Sequence, residues 1–434
     1  MKPGAAKSWQ YSDDARTLTL KLRQGLTFST GAPVTASAVK ATLDLIRKSG
    51  PNQFQLAAVS SVTAPDDRTL VLKLSRPDGS LLNALSWTGG VIADPKTMKG
   101  KEAALRPVAS GPYTLDKKAT VNGSVYVLKR RDDYWNKKAY PFSSVKIRVI
   151  SDRAATVNAL KAGEINAVSV ETSQLGPLKQ AGFETKYIDA TNQAGLILAD
   201  RTGEKLKPLG DLRVRKAINM AFDRKKLVKR FLQGSGQETE QVFSPHNEAY
   251  DPALDKTYPY DPAAAKKLLA QAGYPSGFSV TMPSLVYTKP FEPTITQSLA
   301  DIGIKVKWDP VPAQQTDSAL TSKKYPMYFA TDTMGPDAQQ ARSYYSPDGI
   351  RNVFGSTDPS LTKLLRTADG ETDPAKAADI YRDVNTFAVK NAWLAPVFAI
   401  GIHWVTKKGI TFLGDGSSTQ NSIRKFSVAD PSGG

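Results

Sequence analysis

Apolar residues recur at helical spacing in residues 211–236, DLRVRKAINMAFDRKKLVKRFLQGSG, near the middle of the chain. Val214 and Phe222 fall on one face of a first helical run, which Asp211 can cap at its start. Asp223 can cap a second run of the same kind, and glycines follow it. The pattern therefore predicts two short consecutive helices, each with one buried face.

Alternating apolar and polar residues in the first part of the chain predict strands. Residues 17–22 and 59–74 carry such alternation, and a pair of adjacent aspartates marks each turn. Alternating runs joined by polar turns are typical of β-hairpins. We therefore expect two hairpins, with a helix capped by Thr35 or Ser37 between them.

The later part of the chain alternates between helical and strand-like patterns. Asp261 caps a helical run that starts with proline and ends at Gly273. A strand-like run, a second helical run and another strand-like run follow at 278–282, 290–301 and 304–308. Strand and helix alternating at this spacing predict a layered α/β lobe.

Length and composition restrict the class of protein. A chain of 434 residues exceeds the roughly 250–300 residues that one core supports, so we expect more than one lobe. The sequence has no cysteine and only two histidines, which excludes disulfides and thiolate chemistry and argues against a metal centre. The net charge of +17 is spread along the chain, which favours a solvated basic surface over a nucleic-acid partner. We expect no cofactor and no bound metal.

Known catalytic motifs do not occur in the sequence. There is no G-x-S-x-G elbow and no Walker loop, and residues 234–239 lack the third glycine of a dinucleotide fingerprint. Residues 143–146, SSVK, fit a serine-x-x-lysine pattern, but four-residue matches of this kind are frequent by chance. We expect no catalytic residues, so the protein is not predicted to be an enzyme.

Several longer motifs carry a resemblance to a known family. They are the D-x-R-V-R-x-A-I-x-x-A-x-D-R pattern at 211–224, ATVNALKAGEINAV at 155–168, YDPAAAKKLLAQAGYPSGF at 260–278 and LADIGIKVKW at 299–308. Together they resemble the oligopeptide-, dipeptide- and nickel-binding family, family 5, of extracytoplasmic solute-binding proteins that serve ABC importers. The resemblance extends over about residues 6–413.

The resemblance implies an α/β, two-lobed fold of the periplasmic-binding-protein (Venus flytrap, class II) type. Mixed sheets are flanked by helices, and the first lobe carries an extra subdomain. Residues 1–190 are expected to form the first lobe, 191–395 the second, and 396–434 the return to the first lobe and the C-terminal tail. Relatives carry about fifty further residues before Trp9, including a strand, so we expect either a shortened chain or a second polypeptide that completes the lobe.

The resemblance also implies where the solute binds. In peptide-binding relatives an aspartate on a loop of the second lobe receives the ligand's ammonium group. Residues 331–349, TDTMGPDAQQARSYYSPDG, are predicted to be that loop, although the usual glycine-tryptophan pair is replaced. Caps of turns and ordinary core positions are the alternatives for these side chains. The candidate substrate-binding residues are Trp87, Asp332, Asp337, Tyr344, Tyr345, Trp393 and His403, and Arg342 and Arg351 are weaker candidates for a ligand carboxylate.

By this resemblance the protein is an extracytoplasmic receptor that captures a short peptide between two lobes and delivers it to ABC transporter permease subunits. The expected partners are the small-molecule or peptide ligand and the permease. The expected protein is a monomer, peripheral to the membrane through the transporter or an absent lipid anchor, and without the signal segment. Two alternatives stay open: a non-peptide solute such as a metal chelate, oligosaccharide or anionic compound, and a sensory solute-binding role.

Overall fold

A four-stranded antiparallel sheet opens the computed structural model, which describes residues 2–49, 52–98, 102–233, 235–414 and 423–428. Its strands lie in the order β1-β2-β4-β3, and they pack with α1 around a leucine-rich core. Thr35 caps α1 by accepting from the Ala38 amide, as one of the two predicted alternatives requires. We call residues 2–98 the N-terminal unit. Its elements are β1 (Ala6–Tyr11), β2 (Thr17–Leu22), α1 (Ala36–Lys48), β3 (Val59–Asp66), β4 (Thr69–Leu74) and α2 (Leu81–Ser86).

A short helix, a three-stranded antiparallel sheet and two further helices follow. The strands β5, β6 and β7 lie in sequence order, and a small apolar cluster around Leu160 and Leu178 joins the helices to the next strand. The elements are α3 (Glu102–Leu105), β5 (Tyr113–Leu115), β6 (Val125–Arg130), β7 (Ser144–Arg148), α4 (Arg153–Lys161), β8 (Ala167–Val170) and α5 (Leu175–Gln180).

Two long antiparallel strands, β9 (Glu184–Ile197) and β14 (Ala395–Thr406), connect the two lobes. The first part of β9 pairs with the end of β14, which also pairs with β8. The last part of β9 pairs with the start of β14 and with β13 (Tyr328–Thr333). Each strand therefore contributes one half to each lobe, and both crossings between the lobes lie in this pair.

The second lobe surrounds the far half of the central sheet. The predicted helix pair is present as α6 and α7, and Asp211 and Asp223 accept hydrogen bonds from backbone amides at the two helix starts. The parallel pair β11-β12 packs with α8 and α9 in the layered arrangement that the sequence predicted. The elements are α6 (Leu212–Met220), α7 (Arg224–Leu232), β10 (Gly236–Glu238), α8 (Pro262–Gln271), β11 (Phe278–Ser284), α9 (Glu292–Ala300), β12 (Ile304–Pro310), α10 (Thr316–Thr321), α12 (Pro359–Gly370) and α13 (Pro374–Lys390); β15 (Ile410–Phe412) and β16 (Phe426–Val428) follow β14.

The prediction of a loop at 331–349 is wrong at its start, where residues 331–333 end β13, and in its central part. Residues Asp337–Tyr345 form a helix, α11, which follows directly after Pro336. The many acids, amides and tyrosines of the segment suggested a loop, but Ala338, Ala341 and Tyr344 share a buried helical face. The helix therefore forms because this face packs into the core of the second lobe.

Candidate functional site

A cavity of about 740 Å3 lies between the two lobes beside the crossing strands. Thr172 and His403 line it from the first lobe, and Phe231, Gln233 and Tyr287 line it from the second. This volume lies within the range of roughly 300–1,000 Å3 that small-ligand pockets occupy. Aromatic rings and hydroxyl or amide groups together offer apolar contact and directional hydrogen bonds to a solute.

His403 lies at the side of this cavity on β14. Its Nε2 atom is 3.1 Å from the hydroxyl of Thr172, and its ring packs against Tyr187 with 4.5 Å between ring centroids. Burial, together with the nearby charge of Lys179, lowers the pKa of His403 below its ordinary value. The imidazole is therefore neutral near pH 7 and offers the solute a hydrogen bond without a charge.

The pairing of β9 with β14 is interrupted at the edge of the cavity. The register shifts between Ile400 and Ile402, and Ala190 on the facing strand has a left-handed φ of 45°. A Cβ atom at Gly401 would lie 2.3 Å from ring atoms of Tyr187, so only glycine permits this approach. The Tyr187 hydroxyl in turn donates to the backbone carbonyl of Ser235 in the second lobe.

A second polar cluster lies in the second lobe at the end of β13. The Asp332 carboxylate accepts from Nε and Nη2 of Arg351, with the Nε bond at 2.8 Å, and from the Tyr344 hydroxyl at 2.8 Å. Gln193 on β9 donates to the same hydroxyl at 3.0 Å. Burial opposes the charge of Arg351, but Asp332 outweighs it and keeps the pKa of Arg351 above its ordinary value. The carboxylate is thus already satisfied by side chains of the protein.

Removing this carboxylate is expected to destabilise the second lobe. Asp332→Ala leaves the largely buried Arg351 without its bidentate partner, and we expect a loss of about 2–3 kcal/mol, as for hydrogen bonds to charged groups. Urea unfolding followed by tryptophan fluorescence measures the change. Asp317→Ala, at the exposed start of α10, is the matched control and should leave the unfolding midpoint unchanged. Equal midpoints for wild type and Asp332→Ala would contradict a structural role for the pair.

Asp337 lies at the first turn of α11 and faces the loop at 244–250. Its Oδ2 atom accepts from the Ala249 amide at 3.2 Å, and its buried Oδ1 atom has no hydrogen-bond partner among the residues that the structure describes. Burial raises the pKa of Asp337 to about 6. Its position places it against the second lobe's own backbone rather than among the side chains that line the cavity.

The aromatic candidates occupy three different settings. Tyr345 packs against Phe243 in the core of the second lobe. Trp393 is buried beneath the guanidinium of Arg201, 4.7 Å from its ring centroid. Trp87 lies at the end of α2 in the N-terminal unit and is 39% exposed. Of the seven candidates, His403 alone is among the described residues that line the cavity.

Sequence reasoning missed most of the cavity lining. Tyr287 lies just after β11, which the sequence predicted as a strand of an α/β lobe, and α/β proteins place ligand contacts at the carboxyl ends of parallel strands. That position was a usable signal. Thr172 had no such signal, since it meets His403 only through the pairing of β8 with β14.

Neither a metal-binding cluster nor a membrane-spanning helix is found in the part of the chain that the structure describes. Within it, no group of three or more histidine, aspartate or glutamate side chains could hold a metal ion. None of the helices in the same described ranges has the length and apolar character needed to cross a membrane.

Two lobes that share a pair of crossing strands and enclose a cavity define a two-lobed binding-protein fold. Over residues 1–352 the chain matches the family described as bacterial extracellular solute-binding proteins, family 5 (middle). The chain therefore belongs to this family.

Individual relatives agree with this assignment. The chain is 31% identical over 338 residues to the glutathione-binding protein GsiB of Escherichia coli O1:K1, a match that covers 74% of this chain and 64% of the relative. It thus spans less than two thirds of that relative's length. The periplasmic binding protein AgaA of A. tumefaciens R10, solved with agropinic acid, superposes with a TM-score of 0.80 at 25% identity over 99% of this chain and 90% of that chain. Helicobacter pylori DppA, solved with the peptide STSA, superposes with a TM-score of 0.83 at 22% identity over 99% of this chain and 90% of that chain, which shows a similar fold.

Proposed function

We propose that this protein is an extracytoplasmic receptor that captures a solute between its lobes and delivers it to an ABC transporter permease, with a short peptide as the favoured solute. The observation that carries the proposal is the cavity of about 740 Å3 lined from both lobes. Side chains of both lobes touch the same solute only when the lobes are closed. A solute bound this way stabilises the closed form through its differential affinity.

A short peptide is favoured as the solute by one relative and by the residues that line the cavity. The relative GsiB is named for glutathione, which is itself a short peptide. The lining offers hydroxyl and amide groups from Thr172 and Gln233 that can bond peptide groups, and rings of Phe231 and Tyr287 that can pack on side chains. AgaA, with its agropinic acid, keeps a non-peptide solute as the alternative.

We further propose that the lobes meet at two points of the crossing strands. Ala190, with its left-handed backbone, supports the first boundary at 190. The register shift at Gly401 supports a return crossing slightly later in the chain than residue 396. On this division, the N-terminal unit belongs to the first lobe as its extra subdomain.

A binding role rather than catalysis is favoured by the surroundings of His403. The Thr172 hydroxyl and His403 form a hydroxyl–imidazole pair, which by itself resembles half of a catalytic arrangement. Among the described contacts, no carboxylate bonds to the His403 ring to orient it as a base, and Tyr187 covers its face. The pair is therefore assigned to solute contact. We place the monomeric receptor outside the cytoplasm, beside its permease.

Removing the Tyr287 ring is expected to weaken solute binding. Isothermal titration calorimetry with glutathione and a defined set of di- and tripeptides first identifies a ligand. Tyr287→Ala should then lower its affinity roughly tenfold, since an aromatic contact and its buried area contribute about 1.4 kcal/mol. Val286→Ala, at the neighbouring position that is 70% exposed, is the control and should bind as the wild type does. Unchanged affinity in Tyr287→Ala would contradict this cavity as the solute site.

A further inference from the structure

The N-terminal unit contacts the second lobe through the loop between β4 and α2. In that loop Asp78 is 2% exposed, and its Oδ2 atom accepts from Nη1 of Arg342 on α11 at 2.6 Å. Arg342 also donates to the backbone carbonyl of Phe54 at 3.2 Å. None of these residues lines the cavity, so the contact is separate from the candidate solute site.

Both carboxylate oxygens of the buried Asp78 accept hydrogen bonds, and Arg342 supplies the cation that balances its charge. The Oδ1 atom of Asp78 accepts from the amide and the hydroxyl of Ser80 at 3.0 and 2.5 Å. A buried carboxylate is stable only when its lone pairs are satisfied and its charge is balanced. An outer pair, Arg76 with Asp348 at 3.0 Å, is more exposed and contributes little. The bond from Arg342 to Asp78 is therefore the principal charged contact of this interface.

A second carboxylate, Asp369 at the end of α12, faces the same loop. Its Oδ1 atom accepts from the Gly79 amide at 3.4 Å. A Cβ atom at Gly79 would lie 2.8 Å from the Tyr381 hydroxyl, which shows how closely the loop approaches the second lobe. Over the described residues, no lysine or arginine lies within 4.0 Å of the Asp369 carboxylate. Of the two carboxylates that face each other across this loop, Asp78 is paired closely with a cation and Asp369, among the described side chains, is not.

The balance of charge at Asp369 favours its protonated form. Burial raises the pKa of Asp369 to about 7, and the charge of Asp78 adds to this rise. The Gly79 amide, Arg76 and Arg342 act in the opposite direction. From α13 the interface also receives Tyr381, whose own pKa is raised by burial and then by Asp369 and Asp78. If the surfaces separate, water solvates Asp369 and its pKa returns towards the ordinary aspartate value of about 3.9.

We propose that Asp78, Arg342 and Asp369 form a clamp that holds the N-terminal unit against the second lobe, and that a proton on Asp369 favours the clamped state. The clamp itself requires no solute. Any effect of the clamp on solute capture rests on the proposed function. Because the clamped state binds the proton more tightly than the separated state, acidification through pH 7 strengthens the clamp. Below the ordinary aspartate pKa, Asp369 is protonated in both states, so further acidification no longer strengthens the clamp.

The absence of native cysteines allows a direct test on the full chain without any solute. Lys73→Cys on β4 and Lys363→Cys on α12 place spin labels at exposed positions on the two sides of the interface. Double electron–electron resonance then measures the populations of short and long distances. Between about pH 8 and about pH 6, the ratio of clamped to separated molecules should rise roughly tenfold.

Variants of the three residues separate the parts of the proposal. Asp369→Asn should give a high clamped fraction with this pH dependence lost, because the amide cannot ionise and still accepts from Gly79. Arg342→Met should lower the clamped fraction at both pH values. The double variant Asp78→Asn with Arg342→Met should do the same without leaving a buried charge unpaired. Arg366→Met and Asp383→Asn, at exposed positions of α12 and α13, are matched controls that should behave as wild type.

Two results would overturn the clamp. One is wild-type pH dependence in Asp369→Asn, and the other is an unchanged distance distribution in both variants that lack Arg342. Circular dichroism establishes that each variant is folded. The clamp is measured without any solute, so the two proposals can fail separately. Failure to find a ligand would contradict the proposed function and leave the clamp result intact. Failure of the clamp would leave the proposed function intact.

Discussion

Arg224→Met is expected to lower the free energy of unfolding of the second lobe by about 3–5 kcal/mol, the range for breaking a buried charged pair. The Arg224 guanidinium is buried and donates to four backbone carbonyls, those of Asn219, Thr239, Tyr258 and Pro396. It also donates to the Asn219 side chain and lies 3.6 Å from the buried Glu240. Methionine fills a similar volume but supplies no donor. The variant therefore removes the Arg224 donors from several buried acceptors and leaves the buried Glu240 carboxylate without its cation.

The adjacent residue offers a matched control for this prediction. Lys225 is exposed, so Lys225→Met removes one positive charge and adds the same side chain without disturbing the buried network. Urea unfolding followed by the fluorescence of Trp308 and Trp393, both in the second lobe, measures the two variants. Similar urea unfolding midpoints for Arg224→Met and Lys225→Met would show that the buried hydrogen bonds of Arg224 add no stability beyond the effect of one positive charge.

The helix starts were predictable because a cap depends on only a few consecutive residues. Asp211, Asp223 and Asp261 each accept a hydrogen bond from a backbone amide two or three positions ahead, as the sequence indicated. Such bonds form with little help from the rest of the fold. The same reasoning left Thr35 and Ser37 as alternatives, and the structure selects Thr35.

The burial of Arg224 was not predictable from its local pattern. The helical spacing of apolar positions identified four core-facing residues of α7, of which two are buried and two are half-buried against the same core: Leu227, Val228, Phe231 and Leu232. Arg224 lies beside them in the sequence as one of three consecutive basic residues, which suggested an exposed position. Its carbonyl partners at 239, 258 and 396 come from distant segments, so only the assembled lobe supplies them.

The candidate site depended even more on long-range pairing. Thr172 and His403 meet because β8 pairs with β14, and this pairing joins segments more than two hundred positions apart. The family resemblance implied that Asp332 or Asp337, on the predicted loop at 331–349, contacts the solute. The structure gives the Asp332 carboxylate two partners inside the lobe, Arg351 and Tyr344, and neither pairing has a sequence signature. Whether Asp332 also reaches a solute stays a prediction.

The crossing strands contribute to both lobes, and at Gly195 the backbone of β14 lies close against β9. Gly195→Ala is expected to destabilise the protein by about 3 kcal/mol, at the upper end of the usual cost of overpacking. An added Cβ atom would lie 2.5 Å from the Cα of Pro396 and 2.6 Å from the carbonyl oxygen of Ala395. Both are backbone atoms, so no side-chain rotation relieves the contact, and β9 and β14 must move apart.

Gly176→Ala in α5 is the matched control for that change, since nothing lies within 4 Å of its added Cβ atom and the helix tolerates alanine better than glycine. It should leave the thermal midpoint unchanged or raise it slightly, whereas Gly195→Ala should lower it by several degrees. Differential scanning calorimetry also tests where the contact acts. Because Gly195 pairs with Ala330 and Pro396 in the half of the central sheet that belongs to the second lobe, Gly195→Ala should lower the transition of that lobe, and an unchanged second-lobe transition would contradict the close contact.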